Sequence, residues 1–518
     1  MLVKTYSSAV HGVDAQTITV EVNAGGNVGA GKIAYFLVGL PDNAVKESNH
    51  RIEAALKNVG YNMPRIKIVV NLAPADIRKE GSAYDLPIAI GILASTKQIE
   101  TPNLDHYIML GELSLDGGLR PIKGALPIAI QARKEKYKAI ILPKENAREA
   151  AIVNDIDVYG VESLKEAVEI LQGVSNLKPI IVDTRAEFAD KQNHYEIDFT
   201  DVRGQENIKR ALELAAAGGH NAILIGPPGA GKTMLAKRLP TILPPLTLHE
   251  ALETTKIHSV SGTLQANSSL VTIRPFRSPH HTISDVAMVG GGSNPLPGEI
   301  SIAHNGVLFL DELPEFKRTV LEVMRQPMEE RKVTISRAKS SVEYPASFML
   351  IASMNPCPCG YHNHPEKECV CAPGIVKKYI SKISGPLLDR IDLHVEVTPV
   401  TYDELSSFER PRESSEDIRL RVIKARELQM ERFKNHPEIY SNAQMPSQMV
   451  REICQITTAG QTLLKTAMNK LQLSARAYDR ILKVARTSAD LSGSEDIKIE
   501  HLAEAIQYRS LDREGWAG

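Results

Sequence analysis

Cysteine and tryptophan are scarce in this 518-residue sequence: there are five cysteines and one tryptophan, and aromatic residues make up 5% of the chain. So few cysteines in so long a chain exclude a disulfide scaffold and predict a protein of the reducing cytoplasm. No apolar run approaches the roughly 20 residues that span a bilayer. The first residues, MLVKTYSSAVHGV, lack the apolar centre of a signal peptide. We therefore expect neither export nor a membrane segment.

The chain also lacks an excess of charge of either sign. Its 61 Lys and Arg residues against 62 Asp and Glu residues leave a formal net charge of −1. A global electrostatic field is therefore excluded as the basis of nucleic-acid binding, and any such contact must come from a local patch. Hydrophobic residues at 43% and charged residues at 24% exclude a disordered or fibrous chain.

The sequence pattern divides the chain into four parts. At about 100–200 residues per domain, the length predicts two to four domains. Residues 1–175 alternate β-branched runs with helical ones, which is typical of an α/β domain. Residues 176–200 are polar and mixed, and we interpret them as a linker. Residues 201–400 alternate apolar strands with helices and predict a parallel sheet, whereas residues 401–518 are mostly helical.

The clearest motif is GPPGAGKT, which fits G-x-x-x-x-G-K-[ST] between an apolar run and a helical pattern. Glycines let backbone N–H groups approach phosphate oxygens. In this interpretation Lys232 reaches the β- and γ-phosphates, and the Thr233 hydroxyl holds Mg²⁺. The rest of the ATP-binding loop consists of Gly226, Pro227, Pro228, Gly229, Ala230 and Gly231.

A second segment, GNVGAGK at 26–32, fits the same pattern as far as its lysine. Ile33 then stands where Ser or Thr is required, and the following residues have the pattern of a strand. No helix N-terminus would face this loop. We therefore predict a hairpin turn here.

Polar side chains follow two further apolar strands. Asp311 and Glu312 follow VLFL, and Asn355 follows FMLIASM. Downstream of a phosphate loop, Asp311 is expected to hold the Mg²⁺ shell and Glu312 to act as the general base on the attacking water. Asn355 is expected to bind the γ-phosphate or the water.

Two arginines are candidates for stabilising charge in the transition state. Arg390 lies in LLDRID and is a candidate arginine finger for a neighbouring subunit, whereas Arg476 opens a helix and is a candidate γ-phosphate contact within its own chain. An arginine at such a position is usually a surface ion pair. Spacing alone leaves that alternative open for both.

Four of the five cysteines fall within one loop, at 357–371, as two C-x-C pairs. Four thiolates around a tetrahedral Zn²⁺ would fix a loop that is too short for its own core. Disulfides are the alternative and are disfavoured in the cytoplasm. A catalytic metal is also disfavoured, because four thiols leave no open position. The expected structural zinc ligands are Cys357, Cys359, Cys369 and Cys371, and Cys454 is expected to lie in the core.

Two segments have the composition of loops that contact DNA. Cations precede the glycines at 290–292, and KVTISRAK alternates like one strand of a hairpin. Cations and small residues can follow a phosphate backbone. Solvated surface hairpins are the alternative, and the few aromatic residues, Phe276 and Tyr344, do not indicate base stacking. The cations are Arg274, Arg277, His280, His281, Lys332, Arg337 and Lys339.

Together these motifs, with Gln205 ahead of the phosphate loop, resemble those of AAA+ ATPases. More narrowly, residues 274–316, NPCPCG and GPLLDRIDLHVEV are similar to the magnesium-chelatase-like ComM/YifB family, and the resemblance covers essentially the whole chain. It implies a homo-hexameric ATPase that acts on single-stranded or branched DNA, in branch migration during integration of transforming DNA. It further implies an arginine finger at Arg390, a second sensor at Arg476, and insertions that face the ring's pore.

Residues 1–175 resemble the proteolytic domain of Lon-type proteases, which has the ribosomal protein S5 domain 2-like fold. Such proteases use a Ser–Lys dyad. The serine position falls on Ala83 and the lysine position on Leu126, with Ser82 and Lys123 as neighbours. The dyad is therefore expected to be absent, and the domain to be a non-catalytic platform for ring assembly or DNA contact.

Three functions remain open from the sequence. The first is a DNA motor with no small-molecule substrate other than ATP. The second is the ATPase subunit of a magnesium chelatase, which requires partner chains that this sequence does not encode. The third is a scaffold with a vestigial ATPase, against which the intact Lys232, Thr233, Asp311 and Glu312 argue.

Overall fold

A computed structural model describes residues 1–26, 34–192, 195–265, 268–292, 295–337, 340–364, 366–400, 413–436, 438–471, 473–509 and 511. The chain folds into two compact units. The first comprises Met1–Lys191 and Leu248–Thr272, and the second comprises Gln192–Thr247 and Ile273–Gly518. The glycine-rich segment at 27–33 and Lys339 lie outside the described residues, so the predictions for them stay predictions.

The first unit is built on a mixed seven-stranded sheet. Its first two strands form a long antiparallel hairpin around Gly12, whose φ of +64° suits the turn. Apolar side chains alternate along the second strand and bury one face, as the period of a strand requires. The strands, in their order across the sheet, are Ala34–Val38, Lys67–Ala73, Asp14–Ala24, Leu2–His11, Tyr107–Met109, Ala139–Pro143 and Asp157–Val161.

Helices cover this sheet. Asp85–Ser95 is buried along its whole length, which explains why its sequence is apolar on every side. At its first residue, Asp85 accepts hydrogen bonds from Arg51 at 2.6 and 3.0 Å, and burial raises the Asp85 pKa to about 6. The other helices are Asn43–Lys46, Ser48–Asn58, Leu104–His106, Ala125–Lys134, Lys144–Ala150, Leu164–Gln172 and Thr184–Lys191; a small ribbon pairs Glu112–Leu113 with Leu119–Arg120.

The first unit also takes a helix from later in the chain. Leu248–Ser261 packs against Ala125–Lys134, and the Ser259 hydroxyl donates a hydrogen bond to Glu149. Within the segment predicted to be a linker, Thr184–Lys191 is helical and belongs to the same unit. The sequence pattern indicates neither feature, because both depend on contacts between distant segments.

The second unit contains a five-stranded sheet in which all paired strands are parallel, as predicted for this region. Every side chain of its central strands is buried, which explains their uninterrupted apolar sequence. The strands, in order across the sheet, are Phe276–Arg277, Val307–Leu310, Met349–Met354, Ala222–Ile225 and Leu393–Glu396.

Two small hairpins extend from this unit. One pairs Gly290–Gly291 with Leu296–Pro297, and the other pairs Lys332–Arg337 with Ser340–Pro345. Helices and short turns connect the elements of the core. They are Phe199–Asp201, Glu206–Gly218, Lys232–Ile242, Asp285–Val289, Glu299–Ile302, Leu313–Glu315, Arg318–Val323, Arg325–Glu330, Ile375–Ile380 and Gly385–Leu388.

The C-terminal region is helical, as the sequence predicts. Ser414 caps its first long helix by accepting from the Asp417 N–H, and Ser474 caps Ala475–Leu491 in the same way through the Ala477 N–H. Among the described residues, no helix is both long and apolar enough to cross a membrane. The helices are Ser415–Arg432, Asn442–Gln444, Ser447–Ile453, Thr458–Leu471, Ala475–Leu491 and Ile499–Gln507.

Candidate functional site

The phosphate loop joins the strand Ala222–Ile225 to the helix Lys232–Ile242. Gly231 ends the loop with a φ of +82°, a left-handed conformation that glycine adopts without strain. A Cβ on Gly226 would lie 2.3 Å from the Val397 carbonyl oxygen, so only glycine fits there. The helix N-terminus therefore opens towards the loop, in the geometry that binds phosphate.

Lys232 is held within the loop by three oxygen acceptors. Its Nζ donates to the carbonyl oxygens of Gly226 and Pro227 at 2.7 and 2.9 Å, and to Asn355 Oδ1 at 3.2 Å. Burial lowers the Lys232 pKa, whereas the carboxylates of Asp311 and Glu312 oppose that shift. Two residues predicted from separate motifs, Lys232 and Asn355, thus meet at one point.

Thr233 and Asp311 lie side by side at the carboxyl ends of the parallel strands. The Thr233 hydroxyl donates to Asp311 Oδ2 at 2.8 Å, and the Ser353 hydroxyl donates to Asp311 Oδ1. A hydroxyl and a carboxylate are ligands that Mg²⁺ prefers, so this pair fits the ion. Ser353 was not identified from the sequence; the available indication was one hydroxyl within an otherwise apolar strand.

Glu312 follows Asp311 at the same edge. Its backbone is left-handed, with a φ of +55°, and its side chain is 59% exposed. The His281 Nδ1 lies 3.5 Å from Glu312 Oε2. The carboxylate predicted to be the general base is therefore accessible to water and touches a histidine from a different segment.

Gln205 contacts the phosphate loop from the preceding segment. Its Nε2 donates to the carbonyl oxygens of Ala230 at 2.9 Å and Thr398 at 3.4 Å. Gln205 therefore ties the loop to the chain that follows the edge strand Leu393–Glu396. Gln205 immediately precedes the helix Glu206–Gly218, and its backbone is left-handed with a φ of +59°.

Arg390 lies near the amino ends of the strands, whereas the phosphate loop lies at their carboxyl ends. Asn221 immediately precedes the strand Ala222–Ile225, and its Nδ2 donates to the Arg390 carbonyl oxygen at 3.1 Å. The loop begins at the other end of this four-residue strand, about 13 Å away at a rise of about 3.3 Å per residue. The Arg390 guanidinium lies 2.6 Å from the Glu329 carboxylate.

Arg476 lies beside Arg390. Its guanidinium is 3.6 Å from the Asp389 carboxylate, and its side chain is 65% exposed. Since Asp389 directly precedes Arg390, both arginines lie near the amino ends of the strands, away from the phosphate loop of their own chain. The sequence hypothesis of a contact in cis by Arg476 has no support in this geometry.

A buried polar cluster fixes the segment that carries Arg390. Asp392 accepts hydrogen bonds from Arg480 and from His220 Nδ1, the latter at 3.1 Å. Arg480 and the His220 hydrogen bond hold the Asp392 pKa well below its usual range despite burial, and burial lowers the His220 pKa. The His220 Nδ1 is the donor in this pair, because a carboxylate only accepts. On the other side, His220 Nε2 lies 2.8 Å from Thr487 Oγ1 of the helix Ala475–Leu491.

The four clustered cysteines converge, as the sequence predicts. All four sulfur atoms lie within 4.8 Å of one another and are free thiols. The distances from Cys357 to Cys359, Cys357 to Cys369 and Cys359 to Cys369 are 3.2, 3.7 and 3.6 Å. Tetrahedral zinc with Zn–S bonds of about 2.3 Å requires sulfur atoms about 3.8 Å apart, so the donor set fits zinc.

The cysteine loop also touches the phosphate loop. A Cβ on Gly360 would lie 2.6 Å from Pro228 Cδ. Near this contact, a cavity of about 390 Å³ is lined by Glu312, Glu315, Asn355, Pro358, Ile375, Lys378, Tyr379 and Lys382. The segment after Asn355 is therefore part of the wall around the candidate base.

The arginines predicted to contact DNA are engaged within the protein. Arg274 donates to the carbonyl oxygens of Pro244 and Asn305 at 2.6 and 2.7 Å, and Arg277 forms a bidentate pair with Glu299 at 2.7 and 2.8 Å. The prediction of a cationic loop is therefore not met for these two residues. They anchor the edge strand Phe276–Arg277, because guanidinium groups with several acceptors are held in place.

In the first unit, Ser82 Oγ donates to the Glu112 carboxylate. Leu126 is buried, and its N–H donates to Glu149 at 2.8 Å. Ala83 and Leu126 offer neither a nucleophile nor a base. The absence of a peptidase stays a prediction.

Comparison with known proteins gives matches along the whole chain. Family models described as "Magnesium chelatase, subunit ChlI", "Subunit ChlI of Mg-chelatase" and "Magnesium chelatase, subunit ChlI C-terminal" match residues 198–405, 20–146 and 412–509. Competence protein ComM of Haemophilus influenzae is 43% identical over 511 residues, which are 98% of this chain and 97% of ComM. The chain belongs to the magnesium-chelatase-like ComM/YifB family of AAA+ ATPases. Membership implies ATPase activity.

Other relatives agree with this family or match part of the chain. Protein YifB of Escherichia coli is 44% identical over 511 residues, 98% of this chain and 97% of YifB. Lon protease 2 of Bacillus subtilis is 31% identical over 159 residues, 28% of this chain and 27% of that protease. DNA repair protein RadA of Halalkalibacterium halodurans is 30% identical over 117 residues, 23% of this chain and 25% of RadA. The S5-like fold of the first unit stays a proposal.

Proposed function

We propose that this protein is an ATP-driven DNA motor, active as a homo-hexamer, that moves branched DNA during recombination of incoming DNA. One observation carries the proposal. The groups for hydrolysis lie together at the carboxyl ends of the parallel strands, and the two candidate transition-state arginines lie at the amino ends. The first set is Lys232, Thr233, Asp311, Glu312 and Asn355. A site divided in this way is completed by a second copy of the chain.

Hydrolysis requires a water activated next to the γ-phosphate. Glu312, accessible and at the edge of the loop, accepts the proton of that water as general base. Lys232 leaves its carbonyl acceptors for the phosphate oxygens, and Asn355 orients the γ-phosphate or the water. Thr233 and Asp311 would hold Mg²⁺, and the ion would supply positive charge that neutralises the phosphates. This set argues against a vestigial ATPase.

The remaining positive charge comes from the neighbouring subunit. In this proposal Arg390 is the finger, and Arg476 joins it in trans because its pair with Asp389 keeps it beside Arg390. A guanidinium that stabilises charge only in the transition state raises turnover more than affinity. Arg390 must leave Glu329 when the ring assembles. We further propose that the helical region 401–518 acts as the lid over this interface.

DNA is the proposed track. The names of two relatives, a competence protein and a DNA repair protein, support this class of partner. The second hairpin carries Lys332 in its first residue pair and Arg337 in its last, and basic residues on a hairpin can follow a phosphate backbone. The preferred strand structure, single-stranded or branched, is part of the proposal.

A structural zinc ion in the cysteine loop belongs to the same proposal. Four thiolates would bind it and leave no open position, so its role is to hold the loop rather than to catalyse. The loop contacts Pro228 and begins two residues after Asn355. Zinc would thereby brace one wall of the nucleotide site. Zinc-bound thiolates would fit the proposed cytoplasmic location.

The test compares ATP hydrolysis by the full chain without DNA, with single-stranded DNA and with a four-way junction. We expect DNA to stimulate turnover, the junction to be resolved into duplex products, and Glu312→Gln to abolish both. Turnover that ignores DNA, with an unmoved junction, would contradict the motor. That result would favour the second candidate, a chelatase-type ATPase, which the description of the matching family models supports.

A further inference from the structure

The cavity of about 390 Å³ beside the candidate base has no part in the mechanism above. Glu312 and Asn355 line it next to the phosphate loop, and the exposed residues Lys378 and Lys382 line it as well. Since one water molecule takes up about 30 Å³ of liquid, a phosphate ion fits into this volume. The cavity therefore adjoins the position where the γ-phosphate would be cleaved, and it has room for the phosphate that cleavage produces.

Asn355 belongs to both the phosphate loop and the cavity. Its Oδ1 accepts a hydrogen bond from Lys232 Nζ at 3.2 Å. Burial raises the pKa of Tyr379 in the cavity wall to about 12, and a hydrogen bond from the Asn355 backbone N–H opposes that shift. The Tyr379 phenol therefore keeps its proton and can donate to an anion. A phosphate that leaves Lys232 passes one residue, Asn355, to reach this donor.

Two lysines in the cavity wall have different surroundings. Lys382 is paired with Glu315 at 3.1 Å, and its Nζ lies 5.4 Å from the centre of the Tyr379 ring. Lys378 forms no ion pair in the part of the chain that the structure describes. Lys378 is therefore the cation of this wall that is available to a ligand.

Hydrolysis changes the balance of charge in this wall. The oxygen of water bonds to the γ-phosphorus, the bond from that phosphorus to the bridging oxygen of ADP breaks, and the water proton passes to Glu312. Before this step the two lysines face the carboxylates of Glu312 and Glu315, and after it they face Glu315 alone. The wall thus gains one positive charge when the phosphate anion becomes free, and Coulomb attraction favours entry of the anion.

We propose that this cavity receives inorganic phosphate as it leaves the nucleotide site, with Lys378 as the cation that binds it. This inference rests on the proposed function and adds the route of one product. The departing phosphate takes the proton from Glu312 and thereby restores the base for the next turnover. Lys378 touches the product and has no part in bond cleavage, so its loss slows release rather than cleavage.

The test measures cleavage and phosphate release separately in a single turnover of ATP by the full chain. Acid quenching reports all phosphate that has been formed, whereas a fluorescent phosphate-binding protein reports free phosphate only. We expect Lys378→Ala to slow release by about fivefold or more, which is the effect of one charge across a few ångströms. The rate of cleavage and the nucleotide affinity stay unchanged. Lys378→Arg keeps the charge and is expected to restore release.

Lys377→Ala is the matched control. Lys377 is the exposed neighbour of Lys378 in the helix Ile375–Ile380 and is not among the described residues that line the cavity, so both rates should stay unchanged. Wild-type release in Lys378→Ala, an equal delay in Lys377→Ala, or a matching fall in cleavage would overturn the phosphate route while ATP hydrolysis and the motor stand. A wild-type chain that cleaves no ATP refutes the proposed function itself, and the route with it.

Discussion

The Arg390 guanidinium lies 2.6 Å from the Glu329 carboxylate, near the amino ends of the strands and away from Lys232. In a single chain, the arginine that resembles the family's finger is thus neutralised by a local carboxylate. We expect Arg390→Ala to abolish turnover while nucleotide affinity is kept, because its proposed contact forms in the transition state of a neighbouring site. Steady-state ATPase and equilibrium nucleotide binding measure the two effects separately.

A mixing experiment provides the control for Arg390. Lys232→Ala protein lacks a functional phosphate loop but keeps its arginine, and Arg390→Ala protein has the converse defect. Mixed rings contain interfaces that combine the intact loop of one with the intact arginine of the other. Partial recovery of turnover is expected. Assembled mixtures without recovery would count against a shared interface.

Glu312→Gln separates nucleotide binding from hydrolysis. The amide occupies the space of the carboxylate but cannot accept the proton of the attacking water. We expect turnover to fall by about 10²-fold or more, while ATP remains bound and rings are stabilised. Binding and sedimentation with ATP check this outcome. Retained turnover would mean that another group is the base.

The thiol cluster predicts a bound metal. Elemental analysis should find about one zinc per chain, and replacement by Co²⁺ should produce the visible absorption of tetrahedral thiolate coordination. Cys369→Ser should release the metal and lower turnover, because the loop contacts Pro228. Cys454→Ser is the matched control, since this thiol lies apart in the core. A metal-free wild-type protein that is fully folded would refute the site.

Asp392 is expected to determine the stability of the second unit. Asp392→Asn removes the buried carboxylate that pairs with the half-buried Arg480, and loss of one partner of a buried pair costs about 3–5 kcal/mol. The control Asp389→Asn removes an exposed pair with Arg476 and should cost less than about 1 kcal/mol. Denaturant unfolding at neutral pH measures the free energy of unfolding of both.

The same carboxylate predicts a pH dependence. The pKa of Asp392 is lowered in the folded state, so its stabilising contribution is present above its unfolded pKa of about 4 and declines as the pH falls below it. The difference in unfolding free energy between wild type and Asp392→Asn should shrink in that range. A constant difference from neutral to acid pH would contradict this assignment.

Arg337 tests the contact with DNA. It pairs with Ser340 at one end of the second hairpin, whereas Lys332 lies at the other end, 3.0 Å from Glu343. We expect Arg337→Ala to weaken DNA binding for all sequences and to reduce the salt dependence by about one phosphate contact. Lys332→Ala should have the smaller effect. Equal, unchanged affinities would remove this hairpin from the DNA surface.

Local motifs predict the candidate nucleotide site because each of its groups directly follows a strand in the sequence. The glycine loop, Lys232, Thr233 and the pair Asp311–Glu312 each lie within a few residues of a strand end. The carboxyl ends of parallel strands lie on the same side of the sheet. Polar residues that directly follow several apolar strands therefore indicate one shared site. The cysteine cluster was predictable for the same reason, since its four thiols lie within one loop.

Other features depended on which strands are neighbours. Arg274 and Arg277 have the composition of a DNA-binding loop, yet their acceptors come from residues more than 20 positions away. His281 and Ser353 meet the acidic pair only because the strands Phe276–Arg277 and Met349–Met354 flank Val307–Leu310. No local pattern predicts such neighbours.

The amino-acid sequence alone determined the family, the phosphate loop, the acidic pair, the thiol cluster and the parallel α/β core, because each is expressed in adjacent residues or in the period of a strand. Only the tertiary structure decided that Leu248–Ser261 joins the first unit, that Arg390 and Arg476 lie away from their own phosphate loop, and that His281 reaches Glu312. These features follow from contacts between distant segments, whose free energy depends on burial and strand order rather than on local propensity.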